Sequence, residues 1–432
     1  MATAQTQPNL PPFLPPRWFQ LPDRALYHKA RTAWQQSRKL YNVVAAGRRS
    51  FKTETAKRKV ARLALSIPGN YFFAAPTRGQ VKKIAWQDLK DLTRPFWAKE
   101  TNESDLIIYL ASGSTIHCIG LDAPARIEGQ LWHGGILDEY GNMKPEVWPH
   151  HVQPVTADTR AWVDFIGVPE GRNHYYELAE YARSSGDPDW AFFTWKSADV
   201  LPASVIEAAQ RQLDERTFRQ EYEASFEGAG DTVYYAFSDA NIVSQPFSKD
   251  AATVMFWDFN ASRDKPMATG LVQTINGIDY VTKEFVHKNT NTEQQCQAVN
   301  DFLEAQGFSG ELAVTGDYMG TRSESSASRS DYAIIETHFR HYRNYDRKIR
   351  PTLAVKDRVV SLNARFCSAS GERRLFVDKR CVKLIADLRK VMWKESGTGI
   401  DGTNPELSHI SDALTYWAYN YHPFDRKAII AR

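Results

Sequence analysis

The chain has 432 residues, of which 42% are hydrophobic and 24% are charged, and its formal net charge at pH 7 is +3. This composition is typical of a folded protein with a large core and excludes a disordered chain, and the length suits two or three domains of roughly 150 residues each. Because acidic and basic side chains nearly balance, a site for a polyanion has to be a local patch of positive charge.

The sequence shows no sign of export or membrane insertion. Its proline-rich start lacks an apolar run followed by a cleavage site, and no stretch of 18 apolar residues exists, so neither a secretory signal nor a membrane span is expected. We expect residues 1–23 to form a flexible arm. The scattered cysteines have neither CxxC nor Cys/His spacing, which indicates reduced thiols in a cytoplasmic protein rather than disulfides or zinc; they are Cys118, Cys296, Cys367 and Cys381.

Between residues 24 and 227, helical patterns alternate with short apolar runs. This alternation predicts an α/β domain with a mainly parallel sheet and flanking helices. Strands are predicted at Val43–Ala46, Asn70–Ala75, Leu106–Leu110, Thr115–Ile119, Gly135–Leu137 and Phe165–Gly167, the third and fourth as a hairpin, and helices at 24–38, 53–65 and 79–92.

The loop after the first of these strands has the layout of a phosphate-binding loop. Lys52 and Thr53 open a helix, and in a Walker A loop such a pair holds the β- and γ-phosphates of ATP and Mg²⁺ while backbone N–H groups surround the phosphates. The usual pattern is G-x-x-x-x-G-K-[ST], but Ala46 and Phe51 stand at its glycine positions, so close approach of the backbone is in question. The alternative is a basic strand–turn–helix connection without a ligand. The predicted ATP-binding residues are Ala46, Gly47, Arg48, Arg49, Ser50, Phe51, Lys52 and Thr53.

A second acidic motif fits this loop. Asp138 and Glu139 end the apolar run Ile136-Leu137, as in a Walker B pair. Asp138 would hold Mg²⁺ together with Thr53, and Glu139 would polarise the attacking water. Two matching halves of an ATP site are stronger evidence than either motif alone.

Beyond a linker at residues 228–250, a second α/β domain is expected over residues 251–432. Strands are predicted at 253–257, 267–274, 279–286 and 311–315, and helices near 293–306, 379–392 and 408–420. Asp258 and Asp317 follow two of these strands, and Asp412 lies early in the last helix. Acids so placed can converge on two divalent ions (Mg²⁺ or Mn²⁺) about 4 Å apart, which would hydrolyse a phosphodiester as in RNase H-like nucleases. Taken singly, each Asp is more often a turn or cap residue.

A basic segment interleaved with aromatic residues runs from Arg340 to Arg350. Such a segment suits phosphate contact with a duplex or a single strand, and an exposed β-hairpin surface is an equally good explanation.

The order of these motifs resembles the large terminase subunit of tailed bacteriophages, the motor that packages viral DNA. The resemblance spans about residues 24 to 420. Ala46–Thr53 resembles its Walker A loop, Asp138-Glu139 its Walker B pair, and Asp122–Gly129 the basic segment before Walker B. Val168-Pro169, within Phe165–Asn173, resembles its coupling motif, although Val168 replaces the usual Thr. Asp258, Asp317 and Asp412 match the nuclease acids, and His409-x-x-Asp412-Ala413 resembles a family signature.

The resemblance implies a P-loop (RecA/ASCE-like) ATPase domain followed by an RNase H-like nuclease domain. Arg126, or else Arg48, would stabilise transition-state charge as an arginine finger, Arg126 across a subunit boundary. ATP with Mg²⁺ and two further divalent ions would be the cofactors. Implied partners are double-stranded viral DNA, a portal protein and a small terminase subunit. The chain would form a homo-oligomeric ring on the procapsid, and could be a monomer in solution, in the host cytoplasm.

Two other hypotheses fit parts of the sequence. A helicase–nuclease of DNA repair would also use ATP, but it would need arginine-bearing helicase motifs in a second RecA-like domain, where this chain has carboxylates. A non-catalytic DNA-binding virion protein with decayed sites is favoured by Phe51 and Val168.

Overall fold

The structure is a computed structural model that describes residues 15–226, 232–259, 265–321, 329–351, 354–394 and 399–423. Most of the expected N-terminal arm and the first residues of the expected linker lie outside these ranges. The described chain divides into two compact units. The first runs to Ile206 and includes a short segment that starts at Arg219, and the second contains Glu207–Phe218 and the chain after the first unit. No helix among the described residues is long and apolar enough to cross a membrane.

The first unit is built on a mostly parallel sheet, which in the described chain has seven strands. Their order across the sheet is β3-β4-β2-β5-β6-β1-β7, with β3 antiparallel to β4 and all other pairs parallel. The strands are β1 (Tyr41–Ala46), β2 (Asn70–Ala75), β3 (Ile107–Tyr109), β4 (Thr115–Gly120), β5 (Gly134–Asp138), β6 (Trp162–Gly167) and β7 (Trp190–Trp195).

Helices cover both faces of this sheet, so the residues of its central strands are mostly apolar and buried. Residues 43 to 46 of β1, for example, are completely buried, as expected for a parallel sheet between two helical layers. The helices are α1 (Asp23–Leu26), α2 (Lys29–Gln36), α3 (Lys52–Ser66), α4 (Arg78–Val81), α5 (Gln87–Thr93), α6 (Gln153–Ala157) and α7 (His174–Ser184); α8 (Ala203–Gln212) and α9 (Glu215–Tyr222) lie where the chain passes from one unit to the other.

The second unit has a mixed sheet, again of seven strands within the described residues. The strands are β8 (Ile242–Val243), β9 (Thr253–Asp258), β10 (Met267–Ile275), β11 (Ile278–His287), β12 (Leu312–Gly316), β13 (Asp346–Arg347) and β14 (Leu375–Asp378), and the helices are α10 (Thr292–Ala305), α11 (Asp331–Phe339), α12 (Val355–Phe366), α13 (Val382–Lys390) and α14 (His409–Tyr421). Across the sheet the order is β13-β12-β9-β10-β11-β14-β8.

The pairing in this sheet identifies the fold of the second unit. β9, β10 and β11 form an antiparallel meander, and β12 and β13 extend it in parallel on the β9 side. Three antiparallel strands flanked by parallel ones, with α14 packed on β9, β10 and β12, are the RNase H-like arrangement predicted from the sequence. The predicted fold class is thus confirmed for both units.

Several elements differ from the prediction. β7 and α7 in the first unit, and α11, α12 and β14 in the second, were not predicted. Val233 and Tyr234, which the sequence assigned to a linker, are buried in the core of the second unit, and β8 belongs to its sheet. The hairpin explanation of residues 340–350 is wrong, because β13 pairs in parallel with β12.

Candidate active sites

The candidate nucleotide site lies at the carboxyl ends of three adjacent strands. The phosphate-binding loop follows β1, the segment of Val168 and Pro169 follows β6, and Asp138 and Glu139 lie at the end of β5; β6 lies between β1 and β5. Crevices at the carboxyl ends of parallel strands are where open α/β sheets bind ligands. The topology therefore brings the Walker A, Walker B and coupling segments to one edge of the sheet.

The Walker A and Walker B residues are in contact. The Thr53 hydroxyl donates to Oδ1 of Asp138 at 3.3 Å, and Lys52 is buried. Burial, and then the neighbouring Glu139 carboxylate, raise the pKa of Asp138 to about 7, while Lys52 and Thr53 act in the opposite direction. Asp138 Oδ2 is buried and has no hydrogen-bond partner among the described residues. An unpartnered carboxylate oxygen beside a hydroxyl fits a bound Mg²⁺.

The phosphate-binding loop has a glycine where the backbone is crowded, at Gly47, but has Phe51 where the Walker A pattern has a glycine. A Cβ on Gly47 would lie 2.4 Å from Oγ of Ser197 and 2.7 Å from the carbonyl oxygen of Tyr222, so glycine is required there. Phe51, directly before α3, has φ +64° and ψ +19°. This is the left-handed conformation that favours glycine, and phenylalanine adopts it at an energetic cost.

Arg48 of this loop has a partner that the sequence did not reveal. Its side chain forms an ion pair with Glu221 of α9, and its backbone N–H donates to the carbonyl oxygen of Glu221 at 2.5 Å. Burial would lower the pKa of Arg48, but the hydrogen bond and charge of Glu221, and then the charge of Glu139, raise it overall. Arg48 is therefore held between α9 and the Walker B end of the sheet.

The segment after β6 links the Walker B loop to α9. The amide of Asn173, which caps α7, donates to the carbonyl oxygen of Gly141 at 3.0 Å, and the N–H of Gly171 donates to Oε1 of Gln220 at 3.3 Å. Val168 and Pro169 begin this segment. This segment thus contacts both the loop after β5 and the helix that carries Glu221, the partner of Arg48.

Arg126 lies away from the phosphate-binding loop of its own chain. It is in a short helical turn after β4 and donates to Oδ1 of Asp122 at 2.9 Å, with about half of each side chain exposed. β4 is four strands from β1, which corresponds to roughly 19 Å at the usual strand spacing. Within the described chain, Arg126 bonds to Asp122 and to the carbonyl oxygen of Gly120, and not to Lys52 or Asp138.

The three nuclease candidates lie at one end of the second sheet and its principal helix. Asp258 is the last residue of β9, and the N–H of Asp317 donates to the carbonyl oxygen of Trp257 on that strand at 3.3 Å. A Cβ on Gly316 would lie 2.5 Å from that carbonyl, so glycine permits this close crossing. His409 Nδ1 and Asp258 Oδ2 are 3.2 Å apart, which ties the start of α14 to β9.

Asp412 faces the same region. Burial and the Asp258 charge raise the pKa of Asp412, although Arg358 opposes the shift. The buried hydroxyl of Tyr416, one turn further along α14, has a raised pKa because of its burial and the charges of all three aspartates. The three carboxylates therefore lie within electrostatic range of one group.

As the side chains stand, no group of three or more His, Cys, Asp or Glu residues among the described residues is close enough to hold a metal ion. Asp258 faces His409 and Asp412 faces Arg358. The donor chemistry of three carboxylates nevertheless suits hard divalent cations such as Mg²⁺ or Mn²⁺.

Known proteins resemble this chain in sequence. The chain is 22% identical over 412 residues to the large terminase subunit of Escherichia phage T5, covering 88% of this chain and 89% of that protein. The chain is thus similar to a large terminase subunit along most of its length. No protein-family model matches the chain.

Solved structures agree in fold. The large terminase of a thermophilic bacteriophage matches with a TM-score of 0.59 at 16% identity, covering 92% of this chain and 98% of that one. A second structure of the same thermophilic phage terminase, in complex with ADP, matches with a TM-score of 0.57 at 15% identity, covering 93% and 99%. A third was solved with ATP-γ-S. The two units of this chain thus have the order and folds found in that large terminase.

Three residues that the sequence analysis missed support these sites. Glu221 pairs with Arg48, and Arg358 donates to Oδ1 of Asp412 at 2.9 Å. Asp387 of α13 accepts the N–H of Ser411 at 3.3 Å and so caps the start of α14, where His409 and Asp412 lie. Each belongs to a helix remote in sequence from its partner, so no local pattern could have indicated it.

Proposed function

We propose that this protein is an ATP-driven motor that packages viral double-stranded DNA and cuts it with a second, metal-dependent site. The observation that carries the proposal is the presence of two separate carboxylate sites in the two units of one terminase-like chain. One contains Thr53 and Asp138 in contact. In the other, Asp258 ends β9, Asp317 is hydrogen-bonded to the residue before Asp258, and Asp412 lies on α14, whose first residue, His409, contacts Asp258. The homologous T5 subunit and the thermophilic phage terminase solved with ADP and with ATP-γ-S support this assignment.

In the first site, Lys52 and Thr53 hold the β- and γ-phosphates of ATP with Mg²⁺, and Asp138 is a metal ligand. Glu139 orients the attacking water, and Arg126 of a neighbouring chain, or else Arg48, stabilises the developing charge. The segment of Val168 and Pro169, which is tied through Asn173 to Gly141 and through Gly171 to Gln220, couples hydrolysis to movement. Valine in place of threonine removes a hydroxyl, so sensing of the γ-phosphate depends on backbone contacts of this segment.

In the second site, Asp258, Asp317 and Asp412 would be the ligands of two divalent ions. Such ions supply Lewis acidity and stabilise the leaving oxygen of a phosphodiester. His409 holds Asp258 at the end of β9, and Asp387 fixes the start of α14, so both set the positions of the acids. We place the action on concatemeric viral DNA in the host cytoplasm, with a portal protein, a small terminase subunit and a ring of identical chains as partners.

The helicase–nuclease alternative has less support, because the second unit has an RNase H-like sheet and not a second parallel nucleotide-binding sheet. A decayed, non-catalytic protein is disfavoured because buried Asp138 keeps both its hydroxyl partner and an unpartnered oxygen. A site that had lost its function would be expected to have apolar side chains packed in place of its polar groups, and the contacts of Asp138 are not of that kind.

Paired variants test the proposal. Lys52→Ala should abolish DNA-stimulated ATP hydrolysis and leave Mn²⁺-dependent plasmid cleavage intact, and Asp258→Ala should do the reverse. Glu139→Ala should still bind ATP but not turn it over, which filter binding and a phosphate-release assay would separate. Loss of both activities in either of the first two variants, or of neither, would contradict the assignment of two independent sites.

A further inference from the structure

A buried arginine lies among the nuclease candidates. Arg358 belongs to α12, which packs on α14, and only 3% of the residue is exposed. Its Nη1 donates to Asp412 Oδ1 at 2.9 Å and to Thr415 Oγ1 at 2.5 Å, and its guanidinium lies 4.0 Å from the centroid of the Tyr416 ring. Residues from two consecutive turns of α14 therefore hold this side chain in one orientation.

The arginine is charged despite its burial. The guanidinium of arginine stays protonated in proteins, and here the carboxylate of Asp412 lies 2.9 Å from its Nη1. Both bonds to Asp412, from Arg358 and from Thr415, end on Oδ1, and about a quarter of the Asp412 side chain stays exposed. The carboxylate is thus oriented from one side and open on another.

A full positive charge a few ångströms from the acids has two consequences. It orients Asp412 more firmly than a neutral partner would, because charge-assisted hydrogen bonds are the stronger ones. It also lowers the negative charge that a divalent cation would meet at this cluster, an effect on the order of tenfold or more in affinity at the effective dielectric of a protein.

We propose that Arg358 is a positioning residue of the nuclease site, which orients the Asp412 carboxylate through Oδ1 and weakens the binding of divalent cations by the acidic cluster. This inference rests on the proposed nuclease function. It predicts that removing the charge of Arg358 raises the affinity for divalent cations and slows DNA cleavage, whereas the loss of a metal-site residue usually lowers both.

The test uses the full chain and compares Arg358→Gln with wild type. Calorimetric titration with Mn²⁺ should show a dissociation constant about tenfold lower for the variant, and plasmid cleavage at saturating Mn²⁺ should be slower by about tenfold or more. Arg358→Lys keeps the charge but not the planar group over Tyr416, so its Mn²⁺ affinity should match wild type while its cleavage is reduced.

Arg365→Gln is the matched control. Arg365 is on the same helix and is also largely buried in an ion pair, with Asp279, but it lines a separate pocket at the opposite ends of β9 and β12. This variant should keep the wild-type Mn²⁺ affinity and cleavage rate. A similar change in both variants would assign the effect to lost packing and overturn the proposal.

Other outcomes decide the matter as clearly. Unchanged or weaker Mn²⁺ binding by Arg358→Gln, or undiminished cleavage, overturns the inference while leaving the nuclease assignment intact. If Arg358→Gln does not show a thermal unfolding transition, full cleavage by Arg358→Lys overturns it. A wild-type protein that neither binds Mn²⁺ nor differs from Asp258→Ala in cleavage refutes the proposed nuclease itself.

Discussion

At the residue before Lys52, this chain uses an amino acid that the local backbone disfavours. Phe51 has φ +64°, and a non-glycine residue in the left-handed region costs roughly 1–2 kcal/mol. Comparing Phe51→Gly with Phe51→Ala isolates this backbone term, because both variants lack the aromatic ring. We expect Phe51→Gly to have the higher free energy of unfolding, by about 1 kcal/mol, in urea titrations.

The same pair of variants tests the effect on nucleotide binding. Because only glycine relaxes the loop that surrounds the phosphates, ATP affinity should be higher in Phe51→Gly than in Phe51→Ala. Equal stabilities and equal affinities would indicate that the loop is unstrained, and that Phe51 is retained for its side chain alone.

Sequence reasoning could propose those residues whose chemistry requires a particular amino acid at a particular position of a motif. Lys52, Thr53 and Asp138 are examples, since a phosphate loop and its acidic partner each follow a strand, and the structure places the Thr53 hydroxyl against the Asp138 carboxylate. The partners Glu221 and Arg358 could not be found in this way. Arg48 and Glu221 are 173 positions apart, and Arg358 precedes Asp412 by 54, so these pairs exist only once the helices have packed.

Among the elements, α3 and β6 are joined by a buried ion pair at the centre of the first unit. Nζ of Lys59 lies 2.7 Å from Oδ2 of Asp164, and Asp164 also accepts hydrogen bonds from the indole of Trp34 and the amide of Asn42. Both charged residues are almost completely buried. Removing one partner should leave an uncompensated charge, so Lys59→Met and Asp164→Ala should each cost about 3–5 kcal/mol of unfolding free energy.

Equilibrium denaturation of the single and double variants tests this. The cost of the double variant should be well below the sum of the single costs, because neither charge is then left unpaired. Lys144→Met is the control. Its pair with Glu146 is long, at 3.9 Å, and exposed, so it should change stability by about 0.5 kcal/mol or less. Additive effects in the double variant would contradict a direct interaction.

The strand β4 carries a group that makes the fold sensitive to acid. Burial lowers the pKa of His117 from 6.5 to about 4. Because folding lowers the pKa of His117, the unfolded state binds a proton more readily than the folded state between pH 6.5 and 4. The contribution of His117 to stability is therefore complete above pH 6.5 and is lost as the pH falls from 6.5 towards 4.

His117→Gln should reduce the loss of unfolding free energy across this pH interval, by roughly 2–3 kcal/mol in total. Identical slopes for wild type and variant, measured by urea titration from about pH 7 to about pH 4, would rule out this contribution.

The elements that sequence reasoning found are those with strong apolar runs or clear helical periodicity. β1 and β2 are buried after their first residue and β5 is buried throughout, and their sequences show it. β7 was missed although its sequence is largely apolar; it is an edge strand, and most of its side chains are only partly buried. α12 was missed because several of the positions it buries are polar, among them Arg358, Ser361 and Asn363. Tertiary contacts supply the hydrogen-bond partners of these polar side chains, and such contacts cannot be inferred from the spacing of hydrophobic residues.

For the whole molecule, the position of Arg126 has a consequence for assembly. It lies four strands from the phosphate-binding loop of its own chain and is half exposed, which fits a role at the nucleotide of a neighbouring chain in a ring. We therefore expect Arg126→Ala and Lys52→Ala to be inactive separately, yet to recover ATP turnover when mixed. In a mixed ring, a chain with an intact loop can face a neighbour with an intact Arg126.

For random mixing in equal amounts, about a quarter of the interfaces would combine both intact parts, so turnover should recover to about a quarter of the wild-type rate. The measurement is ATP hydrolysis with duplex DNA and portal-bearing procapsids. The control mixes Lys52→Ala with Glu139→Ala, whose defects share one pocket, so no exchange of chains can repair it. Recovery in both mixtures would mean that the recovered turnover does not depend on pairing an intact loop with an intact Arg126, and recovery in neither would place the role of Arg126 within its own chain.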